Sequence, residues 1–269
     1  MSRYAKMFAR LKARGEAAFG GFLMLGDGEP SYLDALVEGG ADMVEFGIPF
    51  SDPVADGPII QAAAERALEA GVRTGDALEL IRAFRDRHEA VPIGILTYAN
   101  IVSARGKAAF MRALKEAGAD SLLIADVPSI EAGPYAEAAR EAGLDLVMIA
   151  APNTPPPVIA RIAALSSGYS YCVARAGVTG SGTAPSLHHR ALFDALAEAG
   201  APPPVLGFGI STPAQVRAAM AEGAAGVISG SAIVEHIARG ARPQEVADFV
   251  WSLKSATFAP AQRGLAMAG

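Results

Sequence analysis

The sequence has a single cysteine, Cys172, among its 269 residues. One thiol cannot close an intramolecular disulfide, nor can it build a zinc site of the multi-cysteine kind. Histidine is scarce too: His88, His188, His189 and His236 fall in helical or helix-flanking stretches without HxxxH or facial-triad spacing. They read as solvated surface side chains, and no metal is expected. Basic runs with interleaved aromatics are missing, and the net charge is −5. Both features speak against nucleic acid or an anionic membrane surface as partner. No apolar run reaches the ~18 residues of a membrane span. The N-terminus carries Arg3, Lys6, Arg10, Lys12 and Arg14 and lacks the apolar core of a secretory signal. Tyr4, Met7, Phe8 and Leu11 recur there at helical spacing, which predicts an amphipathic helix laid against the domain. The cytoplasm is the expected location.

What the chain does have is apolar bulk: 51% of residues are hydrophobic and 19% charged, enough for a large core. One phrase recurs, in which a helix-like stretch ends in Glu and Gly and an apolar run follows. It reads Glu38-Gly39-Gly40-Ala41-Asp42, Glu116-Ala117-Gly118-Ala119-Asp120, Glu141-Ala142-Gly143-Leu144-Asp145 and Glu222-Gly223-Ala224-Ala225-Gly226. The glycine suits a left-handed helix stop, and a continuous apolar run suits a strand buried on both faces. Candidate strands are 19–25, 43–48, 92–97, 121–125, 145–150, 169–174, 204–208 and 226–229. Helix-like segments are 31–38, 58–70, 75–87, 107–117, 132–142, 157–165, 190–199, 213–222 and 243–254. The fold class is therefore α/β, a single-domain (β/α)8 TIM barrel over residues 1–258 with an extra N-terminal helix and an inserted helix. Residues 259–269 read as a disordered tail.

In such a barrel, chemistry sits at the C-terminal ends of the strands. Glu45 lies inside the apolar run Met43-Val44-Glu45-Phe46-Gly47-Ile48. Burial raises a carboxyl pKa towards the range of a general acid or base, unless an Arg or Lys pairs with it instead. The long segment from Pro49 to Pro58 delivers Asp52 and Asp56, and Asp56 has an alternative role as cap of the helix starting at Pro58. The glycine-rich stretch from Arg175 to Thr183 can offer N–H groups to an anion. Gly207 to Ser211 and Ile228 to Ala232 follow the last two strands, where a phosphate site is favoured over ordinary tight turns. Tyr171 is expected to point into the barrel and Cys172 to pack outwards.

Phe46-Gly47-Ile48-Pro49-Phe50-Ser51-Asp52-Pro53-Val54-Ala55-Asp56-Gly57-Pro58 resembles the signature segment of the tryptophan synthase alpha subunit. The likeness continues through Gly26-Asp27, Tyr98-Ala99-Asn100, Ala125-Asp126-Val127-Pro128, Ser170-Tyr171 to Gly180, Gly207 to Ser211 and Ser229 to Val234. It departs from the usual pattern at Met24, Gly28-Glu29-Pro30 and Ser103 to Lys107. The resemblance implies cofactor-free retro-aldol cleavage of indole-3-glycerol phosphate to indole and glyceraldehyde 3-phosphate. Glu45 would be the general acid/base and Asp56 the carboxylate on the indole N–H. Tyr171, Phe22, Leu96, Leu123, Ile149, Phe208 and Thr179 would contact the substrate. Gly180, Gly209, Gly230 and Ser231 would cradle the phosphate. The resemblance also implies a beta subunit carrying PLP, joined in a two-plus-two complex that passes indole on, with Asp52, Pro53, Asn100, Asp126 and Pro128 facing it.

Overall fold

Runs such as Ala18–Met24 and Met43–Gly47 are buried at every position. Strands of that kind need an apolar layer on both faces, which parallel pairing with helical crossovers provides. The computed structural model describes residues 1–173 and 189–258. Its strands are β1 (Ala18–Met24), β2 (Met43–Gly47), β3 (Ile93–Thr97), β4 (Ser121–Ile124), β5 (Asp145–Leu146), β6 (Ile149–Ala150), β7 (Ser170–Val173), β8 (Pro204–Gly207) and β9 (Gly226–Ser229). All pairs are parallel, in the order β5-β4-β3-β2-β1-β9-β8-β7-β6. The expected single strand over 145–150 is thus one stave in two pieces. Between them, Val147 donates its N–H to Leu122 O at 2.9 Å and Met148 O accepts from Tyr171 N at 3.1 Å, which joins the two ends of the curled sheet.

Around the sheet lie α1 (Arg3–Arg14), α2 (Ser31–Glu38), α3 (Pro58–Glu69), α4 (Thr74–Arg87), α5 (Ala99–Arg105), α6 (Lys107–Ala117), α7 (Gly133–Ala142), α8 (Pro156–Leu165), α9 (Arg190–Glu198), α10 (Pro213–Glu222), α11 (Ser231–Ala238) and α12 (Pro243–Lys254). Helices α3 and α4 both precede β3, so the inserted helix is present. Helix α5 was not anticipated; in this short segment only Val102 is buried, too little for a readable period. The recurring glycine stops helices as expected at Gly118, Gly143 and Gly223, with φ of 98°, 73° and 102°. At the first repeat the left-handed residue is Gly40, not Gly39. A Cβ on Gly39 would lie 2.5 Å from Ala247 O, so this glycine instead lets α12 approach.

Helix α1 closes the N-terminal base of the barrel with Tyr4, Met7 and Leu11 buried. Two aspartates of the recurring phrase clamp it: Arg3 meets Asp120 at 2.9 Å and Arg10 meets Asp42 at 3.2 Å. Each is also satisfied from inside, Asp42 by Lys254 at 2.7 Å and Phe19 N at 3.0 Å, Asp120 by Arg85 at 2.8 Å and Ile93 N at 2.9 Å. The reading of the histidines as solvated needs correction. His189 is fully buried beside Phe193. His88 packs on Phe84 and bonds Asp34 at 2.7 Å, and His236 stacks on Phe249 at 4.0 Å. Aromatic neighbours placed by tertiary packing decide these three; His188 lies outside the described residues, as do 259–269.

Candidate active site

Strand β2 alternates its side chains between two environments. Phe46 packs edge-on against Phe84 of α4 at 5.0 Å, while Glu45 points into the barrel. Phe22, Glu45, Gly94 and Ser121 are register partners across β1 to β4. Glu45 is 2% exposed, and the Tyr169 hydroxyl donates to its Oε1 at 3.1 Å. Among the described residues no Lys or Arg pairs with it, so the ion-pair alternative falls away there. Desolvation pushes the Glu45 carboxyl up to about 8; the Tyr169 hydrogen bond opposes that rise and nearby Asp56 adds to it.

Asp56 is buried at the end of the long segment after β2. It does not cap α3: the N-cap is Gly57, and no side-chain cap bond forms. Instead Tyr98 donates its hydroxyl to Asp56 Oδ2 at 2.9 Å. The same phenol accepts from Ala55 N at 3.3 Å and stacks on Phe50 at 5.1 Å, pinning the segment over the barrel mouth. Burial raises the Asp56 carboxyl to about 6, with the Tyr98 hydrogen bond pulling the other way.

Both acids line one cavity with Phe22, Leu96, Tyr171, Phe208, Gly209, Gly230 and Ser231. A second cavity of about 210 Å³ adjoins it and adds Leu123 and Ile149, while Asp56, Leu96, Tyr171 and Phe208 line both. Tyr171 points inwards as expected and meets Phe208 edge-on at 5.6 Å. Phe208 holds φ of 63°, a left-handed conformation rare for a side chain of this size, and Gly209 follows at 80°. Helix α11 starts at Ser231 with no side-chain cap, so its first N–H groups are open to an anion. Helix α10 differs: Thr212 and Gln215 close its start in a capping box. The structure thus gathers the expected site residues except Thr179 and Gly180, which lie outside the described residues. A larger open depression of about 1450 Å³ lies at the opposite, α1 end and contains neither acid.

Asp52, Asn100, Asp126 and Pro128 are exposed and Pro53 half-exposed, all in segments following β2, β3 and β4. Ser51 bonds Asp52 at 2.6 Å and Asp126 accepts from Ala99 N at 2.8 Å. Val54 and Ile130, 69% and 70% exposed, stand in the same segments and were not anticipated. Tyr98 stood only in a segment of the likeness and Tyr169 only in a candidate strand, and neither was given a role. The signal that marks them is a tyrosine in or beside a buried strand, whose hydroxyl must find a partner.

These features define a parallel β/α barrel with a ligand cavity holding two buried acids at its C-terminal mouth. The chain matches the family described as "Tryptophan synthase alpha chain" over residues 8–260. It is 47% identical to the tryptophan synthase alpha chain of Aeromonas salmonicida over 266 residues, covering 96% of this chain and 99% of that one. The Klebsiella pneumoniae alpha chain is 48% identical at the same coverage. The crystal structure of tryptophan synthase subunit alpha from Legionella pneumophila superposes with a TM-score of 0.85 at 31% identity, covering 96% of this chain and 98% of that one. The chain belongs to the tryptophan synthase alpha chain family. No helix among its described residues is long and apolar enough to cross a membrane.

Proposed function

We propose that this chain cleaves indole-3-glycerol phosphate to indole and glyceraldehyde 3-phosphate, a carbon–carbon lyase reaction needing no cofactor in this chain. The observation that carries the reading is the split between two acids facing one cavity. With its pKa raised to about 8, Glu45 is mainly a neutral acid at pH 7, whereas Asp56, raised to about 6, is mainly a carboxylate. Glu45 gives its proton to indole C3, which turns the ring into a cation. The Asp56 carboxylate accepts a hydrogen bond from the ring N–H and stabilises that charge as it develops. The resulting Glu45 carboxylate then takes the proton of the adjacent glycerol hydroxyl while the carbon–carbon bond breaks. Its electron pair restores the aromatic ring, the oxygen becomes an aldehyde, and Glu45 is an acid again. Net, one proton moves from oxygen to C3.

Phe22, Leu96, Leu123, Ile149, Tyr171 and Phe208 fit a flat apolar ring. Gly209, Gly230 and Ser231, with Gly180 and Thr179 from the segment after β7, serve the phosphate and the closing of the site. Family membership and the rim of Asp52, Pro53, Asn100, Asp126 and Pro128, widened by exposed Val54 and Ile130, support docking on a PLP-bearing beta subunit. We assign a two-plus-two complex in the cytoplasm that hands indole to that subunit for tryptophan synthesis.

The test is indole release from indole-3-glycerol phosphate, with and without a beta subunit. Glu45→Gln should lower kcat by about 1000-fold with the fold intact; near-normal turnover would remove Glu45 from the reaction. Asp56→Asn should lower kcat about 100-fold and change KM far less, because its bond strengthens as the ring gains charge. Equal effects on kcat and KM would contradict that role.

A further inference from the structure

Gly94 sits between Glu45 and Ser121 in the strand register and leaves a gap in the barrel interior. A Cβ there would lie 3.1 Å from both Tyr4 Oη and Ser121 Oγ, and 3.5 Å from Tyr169 Oη. Three hydroxyls therefore converge where a side chain is missing. Tyr4 comes from α1, at the end of the barrel remote from the ligand cavity. It bonds Ser121 at 2.8 Å, and its ring lies against Tyr169 at 5.3 Å with a tilt of 55°. Tyr169 in turn holds Glu45. Helix α1 cannot easily shift, because Arg3 at its start and Arg10 further along tie it to Asp120 and Asp42.

We propose that Tyr4 is a positioning residue for Glu45: its ring is the floor under Tyr169 and fixes the direction of the phenol that hydrogen-bonds the acid. The N-terminal helix then belongs to the proton-transfer apparatus although it touches no ligand. This inference rests on the assignment of Glu45 as the acid. The titratable groups facing Glu45 are Tyr169, Tyr171 and Asp56, with Tyr4 behind them; Tyr4 itself faces Asp120 and Asp145.

The test follows Glu45 directly, through the carboxyl carbon resonance that is lost in Glu45→Gln, alongside the pH profile of kcat. The Tyr169 bond favours the charged form, so Tyr169→Phe should move the Glu45 titration up by about one pH unit. Tyr4→Leu, which keeps apolar bulk but removes the ring, should move it in the same direction, lower kcat about 10-fold and spare KM. Tyr4→Phe, which keeps the ring, should move it less. Each Tyr4 variant combined with Tyr169→Phe should titrate as Tyr169→Phe does alone, because the effect passes through one phenol. Leu11→Ala is the control: it removes buried bulk from α1 while keeping the Tyr4 ring and its Ser121 bond, and should leave the titration in place. A folded Tyr4→Leu protein with wild-type titration overturns the proposal. So does additivity in the double variants, which Tyr4→Phe alone can reveal if Tyr4→Leu does not fold. Because the resonance is read without turnover, loss of the proposed lysis in the wild type would be seen separately.

Discussion

The two ends of this barrel treat buried carboxylates in opposite ways. At the base, Asp42 and Asp120 are surrounded by cations and backbone N–H groups: Lys254 and Arg10 for one, Arg85 and Arg3 for the other. At the mouth, Glu45 and Asp56 are just as sunken, yet among the described residues the side-chain hydrogen bond each accepts comes from a neutral phenol. A cation compensates the lost hydration of a carboxylate, whereas a phenol does so only in part. The same chemical group thus becomes a structural clamp at one end and an acid of raised pKa at the other. Partner type, not depth, separates the two.

The largest expected effect breaks the comparison at the mouth. Glu45 has its pKa raised from 4.5 unfolded to about 8 folded. Its neutral form therefore favours the native state below pH 4.5, and that contribution is lost as pH rises through 8. Between those limits wild-type stability should fall by up to roughly 5 kcal/mol from this group alone. Glu45→Gln should flatten that slope and be the more stable protein at pH 9. Denaturant titrations at pH 5 and pH 9 read this, and parallel slopes for the two proteins would count against it. Next comes the base. Asp42→Ala strips a buried Lys254 of its close partner and should cost about 4 kcal/mol at pH 7 by urea unfolding. A cost under 1 kcal/mol would mean that the clamp is dispensable.

Smaller effects sharpen the contrast. A Cβ on Gly207 would stand 2.1 Å from the Tyr171 hydroxyl. Gly207→Ala should therefore displace that ring, costing about 2 kcal/mol in stability and reducing indole release about 10-fold; unchanged turnover would place Tyr171 outside the substrate's reach. Smallest is the exposed pair Arg239–Glu235 at the C-terminal end of α11. Removing it with Glu235→Gln should change stability by less than about 0.5 kcal/mol, since water already solvates both charges. A larger loss in urea unfolding would mean that ion pairs count outside the buried base.

Much of this was readable along the chain. The apolar runs, four of them announced by the recurring Glu-Gly phrase, placed the staves within a residue or so, because burial on both faces leaves a plain signature. Glu45 stood out as a charge inside an apolar run. Its phenol did not, because Tyr169 is 124 residues away and only barrel closure brings the two together; Tyr98 and Asp56 are 42 apart. Asp56 remained divided between cap and carboxylate until Gly57 took the cap position. His189 reads as polar in isolation and is buried only because α9 turns it beside Phe193.

The strand order has a consequence for how the chain comes to be made. β1, near the beginning, is flanked on one side by β2 and on the other by β9, whose residues begin at Gly226. On a ribosome adding about 5–20 residues per second, the edge of β1 waits on the order of 10–40 seconds for its neighbour. Pulse-labelled exchange on stalled nascent chains should find the Ala18 to Gly21 amides that face β9 open until the last stave emerges. The earliest of these nine strands to be synthesised is thus the last to be paired on both sides, and the ring waits on the meeting of β1 with β9.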